Sequence, residues 1–196
     1  MARPSVVEDR RREILEATCD VVADRGFRDL RVADVAKIAQ CSSGTIHYYF
    51  DSKDELLREA FRFEYEKSRE RRAEALNDED DPVTRLRKLA AGYLPSTPES
   101  VRSWRVWLEL WVSAVRDPSM SRINDEYYNE WREAVLDAAN EGHSMGMLSV
   151  SDSLLFANTY VSMMDGLAIQ VLVGAQSMDV ERMRATCRAF VDEFAV

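Results

Sequence analysis

The chain has 196 residues, 46% of them hydrophobic, and a formal net charge of −9 at pH 7. This length and composition fit a globular protein of one large or two small domains. The sequence has no run of about 18 apolar residues and no apolar core of a signal peptide, so we expect neither a membrane protein nor an exported one. Only 7 Gly and 5 Pro interrupt it and strand-like alternation is missing, which favours an all-α fold of about nine helices.

The residue types that carry catalysis or bind metals are sparse. The three cysteines, Cys19, Cys41 and Cys187, lack metal-ligand spacing and predict free thiols in a reducing cytoplasm. With only two histidines and no glycine-rich phosphate loop, no nucleophile–base set and no metal cluster is suggested. We therefore expect no enzyme, no metal and no cofactor, although a carboxylate pair could still hide among the 35 acidic residues.

The first helix is expected from about Val7 to Arg25. Apolar or small residues at helical spacing form its buried face: Ile14, Leu15, Thr18, Val21 and Val22. Gly26 should end it as a left-handed residue after the C-cap. Phe27 and Leu30 are then expected to close a small core.

The segment from Arg31 to Phe50, RVADVAKIAQCSSGTIHYYF, predicts two short helices joined by a tight turn. The first carries one apolar stripe, made of Val32, Val35, Ala36 and Ala39. Ser42 is a suitable N-cap for the second, with Thr45 in support, and Ile46 and Phe50 share one side of that helix. This arrangement is typical of a helix-turn-helix, whose second helix enters the DNA major groove.

Five residues are candidates for DNA contact: Gly44, Thr45, His47, Tyr48 and Lys53. Gly44 leaves room for DNA to approach the start of the second helix, where free N–H groups favour an anion. Thr45, His47 and Tyr48 offer hydrogen-bonding groups that suit phosphate oxygens and base edges. Lys53, at the start of the next helix, can reach a phosphate.

The negative net charge predicts DNA binding that depends on geometry and on a few local cations, and that falls steeply with salt. Four arginines precede or begin the first helix: Arg3, Arg10, Arg11 and Arg12. They are either a basic arm near DNA or a solvated first turn, and the sequence leaves both interpretations open.

The fourth helix should begin after Ser52, where Ser-Lys-Asp-Glu forms a capping box with Glu55, and continue to about Leu76. It is either a lever between two domains or a plain connecting helix. Asp81-Pro82, Thr97-Pro98 and Asp117-Pro118 each predict a further helix start. The sixth helix carries an apolar face made of Trp104, Trp107, Leu108, Trp111, Val112 and Val115.

The eighth helix, from about Asp152 to Val173, is almost continuously apolar, which is typical of a helix buried on all sides. The ninth begins near Asp179 and carries an apolar side made of Met183, Cys187, Phe190, Val191 and Phe194. We expect helices 8 and 9 to pair with their copies in a two-fold four-helix interface, with Gly166 allowing close approach. The alternative is that both helices are simply core.

The C-terminal half is rich in aromatic residues that could bind a small molecule. The candidate ligand-binding residues are Trp104, Trp107, Trp111, Tyr127, Met163 and Asp165, with Tyr93, Tyr128 and Trp131 as further aromatic groups. Aromatic faces bind quaternary ammonium groups, and Asp165 or Glu109 could add a negative charge. A cationic effector and an apolar effector both stay open, and a tryptophan stripe at this spacing is also compatible with core packing.

The helix-turn-helix followed by GTIHYYFDSKDELL resembles the DNA-binding domain of TetR-family repressors. The resemblance covers roughly residues 8 to 68, and it implies a homodimer that leaves its operator when a small ligand binds the C-terminal domain. His47 stands where the family usually has Tyr, and Arg31 where it often has a capping Thr or Ser. The second difference leaves the start of that helix without a side-chain cap.

The second half, with WLELWVSAVRDPSMSRIN, a later Tyr-Tyr and Trp, and Met164 to Leu167, resembles the ligand domain of BetI-type repressors. These TetR relatives respond to choline. The resemblance implies a helical ligand-binding and dimerisation domain.

Together these observations predict two domains: a helix-turn-helix domain over 1–68, with its motif at 31–50, and a ligand-binding and dimerisation domain over 69–196. The expected function is that of a cytoplasmic, ligand-responsive repressor that binds double-stranded DNA as a homodimer. The alternative is a small-molecule-binding or scaffold protein whose helix-turn-helix does not read DNA. Activation in place of repression also stays open.

Overall fold

The structure of the protein, a computed structural model, describes residues 6–77 and 80–196. In these ranges the chain forms nine α-helices and, apart from one isolated β-bridge between Leu148 and Ala195, no strand, as expected for an all-α fold. The helices are α1 (Val6–Arg25), α2 (Val32–Ile38), α3 (Ser43–Tyr49), α4 (Lys53–Ala75), α5 (Pro82–Tyr93), α6 (Pro98–Ala114), α7 (Pro118–Ser144), α8 (Ser153–Leu172) and α9 (Val180–Phe194). Within the described part of the chain, no helix combines the length and the apolarity needed to cross a bilayer.

The helices form two compact units. The first contains the described residues up to Ser68 together with Arg102–Asp125, and the second contains those of Arg69–Val101 and Glu126–Val196. The predicted domains, 1–68 and 69–196, differ from these units in the assignment of Arg102–Asp125, and they stay a prediction.

In the first unit, α1 packs against α2, and α2 against α3. Its core contains the fully buried side chains of Ile14, Val35, Ile46, Phe50, Leu57 and Phe61. Gly26 ends α1 with a positive φ of 78°, and its N–H donates to the carbonyl of Val22 at 2.9 Å. A Cβ at Gly26 would lie 3.2 Å from the carboxylate of Glu109, so the left-handed φ and this close approach both favour glycine there.

In the second unit, α9 packs against α5 and α8. A group of aromatic rings joins α8 to α9, with centroid distances between 5.1 and 5.9 Å: Phe156, Tyr160, Phe190 and Phe194. The buried hydroxyl of Tyr160 donates to the carbonyl of Leu86 on α5 at 3.3 Å. The predicted apolar side of α9 therefore faces α5 and α8 within the chain.

The segment between α7 and α8 is tied to the end of the chain. Ser149 N–H donates to the carbonyl of Phe194 at 2.7 Å, and Val196 N–H donates to that of Met147 at 3.1 Å. A Cβ at Gly142 would approach the Leu148 side chain to 2.5 Å, so any larger residue would have to displace that side chain.

Two apolar faces are less buried within the chain than their composition suggests. On α6 only Trp104 of the predicted face is buried, whereas Val112 is 58% exposed and Val115 lies beyond the helix and is 84% exposed. Helix α8 is not buried on all sides within one chain, because it buries only the side that carries Phe156 and Tyr160. Its other side is exposed at Leu154, Leu155, Asn158, Thr159, Ser162, Gly166 and Gln170.

Candidate functional site

The turn between α2 and α3 places one residue in the left-handed region and ends at a capped helix start. Arg31 precedes α2 in extended conformation and makes no side-chain cap, as predicted. After α2, Gln40 adopts a positive φ of 51°, and Cys41 N–H donates to the carbonyl of Ala36 at 3.0 Å. Ser42 then caps α3, because its Oγ accepts the N–H of Thr45 at 3.0 Å. The predicted helix-turn-helix is therefore present, with its cap in the expected place.

Helix α3 buries one side and exposes the other. Ile46 and Phe50 are 1% and 2% exposed, respectively, and fix the helix to the core. Gly44, His47 and Tyr48 lie on the exposed side, and Tyr48 is 80% exposed. Thr45 is half-buried, and its hydroxyl lies 2.9 Å from that of Ser42.

Lys53, the fifth DNA-contact candidate, has partners within the chain. Its ammonium donates to the carbonyl of Arg28 at 3.4 Å and lies 5.6 Å from the ring centroid of Phe27. Ser52 Oγ accepts the N–H of Glu55 at 3.1 Å, as predicted for α4. The carboxylate of Glu55 accepts the N–H of Asp51 at 2.7 Å.

Two arginines of the first helical turns contact other helices of the first unit. Arg10 donates to the carbonyl of Ala39 at 3.3 Å, just after α2. Arg11 bonds the carboxylate of Glu59 and lies 5.3 Å from the ring centroid of Phe50. Arg12 is exposed, and Arg3 lies outside the described residues. Arg10 and Arg11 thus hold α1 against α2, α4 and the end of α3.

In the second unit, three aromatic side chains and one carboxylate come together; we call them the Asp165 cluster, made of Tyr93, Tyr128, Trp131 and Asp165. The phenols of Tyr93 and Tyr128 donate to the two oxygens of Asp165 at 2.6 and 2.8 Å. The ring of Tyr93 stacks on the indole of Trp131, with centroids 5.0 Å apart and planes 17° apart. The cluster therefore presents one carboxylate beside three aromatic rings.

Burial sets the electrostatics of the cluster. It raises the pKa of Asp165 above its usual range, and the two phenol hydrogen bonds oppose that rise. Burial and the neighbouring carboxylate raise the pKa of Tyr128 to about 12 and that of Tyr93 well above its usual range. Both phenols therefore stay protonated near neutral pH and serve as donors to Asp165.

Trp131, a member of the cluster, has two further features. The Trp131 indole is 4% exposed, and its Nε1 has no hydrogen-bond acceptor among the described residues. The guanidinium of Arg72, near the end of α4, lies 4.9 Å from the Trp131 ring centroid. Arg72 was not among the sequence candidates, because it stands in the charged stretch SRERRAEA and no pattern distinguishes it from its neighbours.

The remaining ligand candidates are divided between the two units. Tyr127 and Met163 belong to the second unit, with Tyr127 buried and Met163 half-buried. Trp104, Trp107 and Trp111 belong to the first unit. There Trp104 and Trp111 form an edge-on pair at 5.9 Å, and Trp107 is edge-on to Tyr65 at 6.3 Å.

Glu109, the other carboxylate that the sequence offered for a cation, has a different partner. Its Oε2 accepts the backbone N–H of Phe27 at 2.8 Å, directly after α1. Asp165 is therefore the acidic candidate that the structure surrounds with aromatic rings. Among the described residues, no group of three or more His, Cys, Asp or Glu side chains is arranged to hold a metal ion.

Comparison with known proteins agrees with this architecture. Residues 14–60 match the tetR family of bacterial regulatory proteins, and residues 82–196 match the C-terminal domain of BetI-type transcriptional repressors. The HTH-type transcriptional regulator BetI of Stenotrophomonas maltophilia is 30% identical over 195 residues, which cover 98% of this chain and 96% of that protein.

Two solved structures are similar over nearly the whole chain. A transcriptional regulator from Saccharomonospora viridis, solved in complex with choline, has a TM-score of 0.90 and 30% identity, covering 94% of this chain and 96% of the other. A TetR-family regulator from a Rhodococcus species has a TM-score of 0.86 and 29% identity, with 95% and 98% covered.

The matched proteins are transcriptional regulators, which favours a DNA-binding regulator over a scaffold protein that has lost DNA binding. A capped helix-turn-helix, an all-α second half and matches to both halves lead to one conclusion. The chain belongs to the TetR family of DNA-binding transcriptional regulators, and its C-terminal domain is of the BetI repressor type.

Proposed function

We propose that this regulator is a homodimeric repressor that releases its operator when a quaternary ammonium cation binds at the Asp165 cluster. The observation that carries the proposal is the pair of phenol hydrogen bonds that fix the Asp165 carboxylate beside the stacked rings of Tyr93 and Trp131. As a transcriptional repressor, it would act in the cytoplasm.

The chemistry of the cluster suits such a cation. A quaternary ammonium group donates no hydrogen bond, so it is held by aromatic faces and by a nearby negative charge. The phenols already hydrogen-bond both oxygens of Asp165, which leaves its charge for an ion that needs no acceptor. The choline complex of the Saccharomonospora relative supports the same class of effector. Tyr127 and Met163, which belong to the same unit as the Asp165 cluster, are proposed as apolar contacts of the effector.

Operator contact is proposed for the exposed side of α3 and the residues beside it. Gly44, His47 and Tyr48 are exposed there, and Thr45 lies in the same first turns. Lys53 would exchange its bond to the Arg28 carbonyl for a DNA phosphate, which its flexible side chain permits.

A two-fold dimer is proposed through α8 and α9. A helix-turn-helix that reads a palindrome requires two copies related by a two-fold axis. The exposed side of α8 carries Leu155, Thr159, Ser162 and Gly166, small or apolar residues at helical spacing that suit a second helix.

The test is a gel shift of the purified protein on the DNA upstream of its own gene, with salt titrated. The release would be measured with choline, with tetramethylammonium and with dimethylbutanol, the neutral analogue that has carbon in place of the charged nitrogen. We expect both cations to release the DNA and the neutral analogue to leave it bound.

The other outcomes separate the parts of the proposal. Release by the neutral analogue alone would overturn the cationic effector and leave an apolar one. Failure to bind any sequence selected from a random DNA pool, by a folded protein, would overturn operator binding.

A further inference from the structure

The face of Trp131 already carries a cation from within the chain. The guanidinium carbon of Arg72 lies 4.9 Å from the centroid of the Trp131 ring, inside the range for cation–π attraction. The indole is 4% exposed and stacks with Tyr93, so little of its surface is left for another group. Arg72 itself is half-buried beside it.

A guanidinium and a quaternary ammonium use the same property of an aromatic ring, the negative potential over its face. Of the three aromatic side chains, the indole gives the strongest such attraction. Two cations cannot occupy the same part of one ring face, and two cations side by side on the indole would also repel each other. A cationic effector that uses Trp131 must therefore compete with Arg72.

We infer that Arg72 is an internal occupant of the cation site, which an effector must displace from Trp131 in order to bind. This inference rests on the proposed cationic effector and adds a residue that sets its affinity. Arg72 makes poor effectors of neutral molecules and of cations that interact only weakly with an aromatic face. Their contact with Trp131 is too weak to offset the lost guanidinium contact. It also links the site to α4, since the displaced side chain belongs to the helix whose first residue is Lys53.

The neighbouring residue offers a matched control. Arg71 carries the same charge one position earlier on α4, and its guanidinium donates to the carboxylate of Glu99 at 3.0 Å. Removing Arg71 changes the net charge of the chain as removing Arg72 does. A general charge effect on cation binding would therefore appear in both variants, whereas relief of competition would appear only in Arg72→Ala.

The experiment is calorimetric titration of choline and tetramethylammonium into the full-length wild type, Arg72→Ala and Arg71→Ala. Arg72→Ala should bind both cations about 2- to 30-fold more tightly than the wild type, as expected from losing one competing cation–π contact. Arg71→Ala should stay within about twofold of the wild type. Equal or weaker binding by Arg72→Ala, while the wild type binds, would overturn the inference and leave the cationic effector intact.

The remaining outcomes are also decisive. If neither the wild type nor Arg72→Ala binds a cation, the proposed effector class fails and the inference fails with it. If only Arg72→Ala binds, competition by Arg72 is stronger than expected and the inference is supported. Should Arg72→Ala not fold, NMR of the wild type gives a second test. Displacement of Arg72 must shift its Nε–H resonance, and the shift must saturate at the same cation concentration as binding does. A resonance that does not move at saturating choline would overturn the inference.

Discussion

Arg102, on α6, holds the buried carboxylate of Glu64, on α4: its Nη1 lies 3.1 Å from Glu64 Oε2, and the Glu64 side chain is 1% exposed. The same guanidinium reaches Asp20 at 3.0 Å and also bonds Glu16, both on α1. Ser103 donates its hydroxyl to the other oxygen of Glu64. One arginine thus joins α6 to α1 and α4 in the first unit, and its partner on α4 is a carboxylate that water hardly reaches.

We predict that Arg102→Met destabilises the protein by about 3 kcal/mol, near the lower end of the cost of leaving a buried charge without its partner. The arginine is 19% exposed, so water compensates part of the loss. Urea unfolding gives the free energy of unfolding. Arg105→Met, at an exposed position of the same helix, should change it by less than about 0.5 kcal/mol. Equal effects of the two substitutions would contradict a special role for the Glu64 pair.

We predict that the affinity for a quaternary ammonium cation falls as the pH is lowered, although the cation itself does not titrate. Binding requires the Asp165 carboxylate, and burial raises the pKa of Asp165 above its usual range. As the pH falls through that raised pKa, the side chain is protonated and the attraction is lost. Calorimetry between pH 8 and pH 5 should therefore show that the affinity for the cation falls at a higher pH than it would for an exposed aspartate, whose pKa is about 3.9.

Asp165→Asn should remove this pH dependence and bind the cation at least about tenfold more weakly at pH 8, because the charge is gone. A carboxyl group whose pKa is raised by folding stabilises the folded state less as the pH rises through that pKa, so the neutral amide avoids the cost of the buried charge at pH 8. The amide has one acceptor oxygen for two phenol donors, so the loss of a hydrogen bond opposes this gain. Tyr128→Phe should move the fall in affinity to higher pH, because it removes a hydrogen bond that lowers the pKa of Asp165. Parallel pH profiles for the wild type and Asp165→Asn would contradict the assignment.

We predict that Lys53→Met lowers the salt dependence of operator binding by about one unit in the slope of log K against log salt, as expected for one lost phosphate contact. The methionine keeps most of the apolar stem that lies against Phe27, so the fold should hold. Fluorescence anisotropy on a labelled operator measures the slope. Lys88→Met, which removes the 2.6 Å ion pair with Asp80 in the second unit, should leave the slope unchanged.

We predict that Gly166→Leu converts the dimer to a monomer at micromolar concentration. A Cβ at Gly166 would meet no atom within 4 Å apart from the adjoining backbone of its own helix, so the substitution should not disturb the protomer. Leucine has a higher helix propensity than glycine, by up to about 1 kcal/mol, and should even stabilise α8. Loss of the dimer would then come from steric blocking of the second copy, as sedimentation velocity can measure.

The control is Gly92→Leu, at the other exposed helical glycine whose added Cβ meets nothing within 4 Å. It lies on α5, outside the proposed interface, and should leave the dimer unchanged. A dimeric Gly166→Leu protein would contradict pairing through this side of α8.

Local sequence determined most of the secondary structure. Ser42, Asp81, Asp152 and Asp179 each cap the helix that follows, because a side-chain oxygen three residues before a free N–H satisfies it. Gly26 ends α1 because few other residues adopt its backbone conformation. These interactions join residues three or four positions apart, so spacing alone is enough to predict them. The same is true of the helix-turn-helix and of the family resemblance that its pattern carries.

The packing of helices far apart in sequence establishes which side chains share a site. Tyr93 and Asp165 are 72 positions apart, and the sequence could not indicate that they hydrogen-bond or that Glu109 instead binds the backbone of Phe27. It also gave no reason to select Arg72 from its charged neighbours, since cation–π contact depends on where helices far apart in sequence pack. The helices and the helix-turn-helix follow from short-range periodicity and capping, and the kind of regulator was indicated by the resemblance of the motifs to TetR-family repressors. The fold decided which carboxylate meets which aromatic rings, because that depends on packing between distant helices.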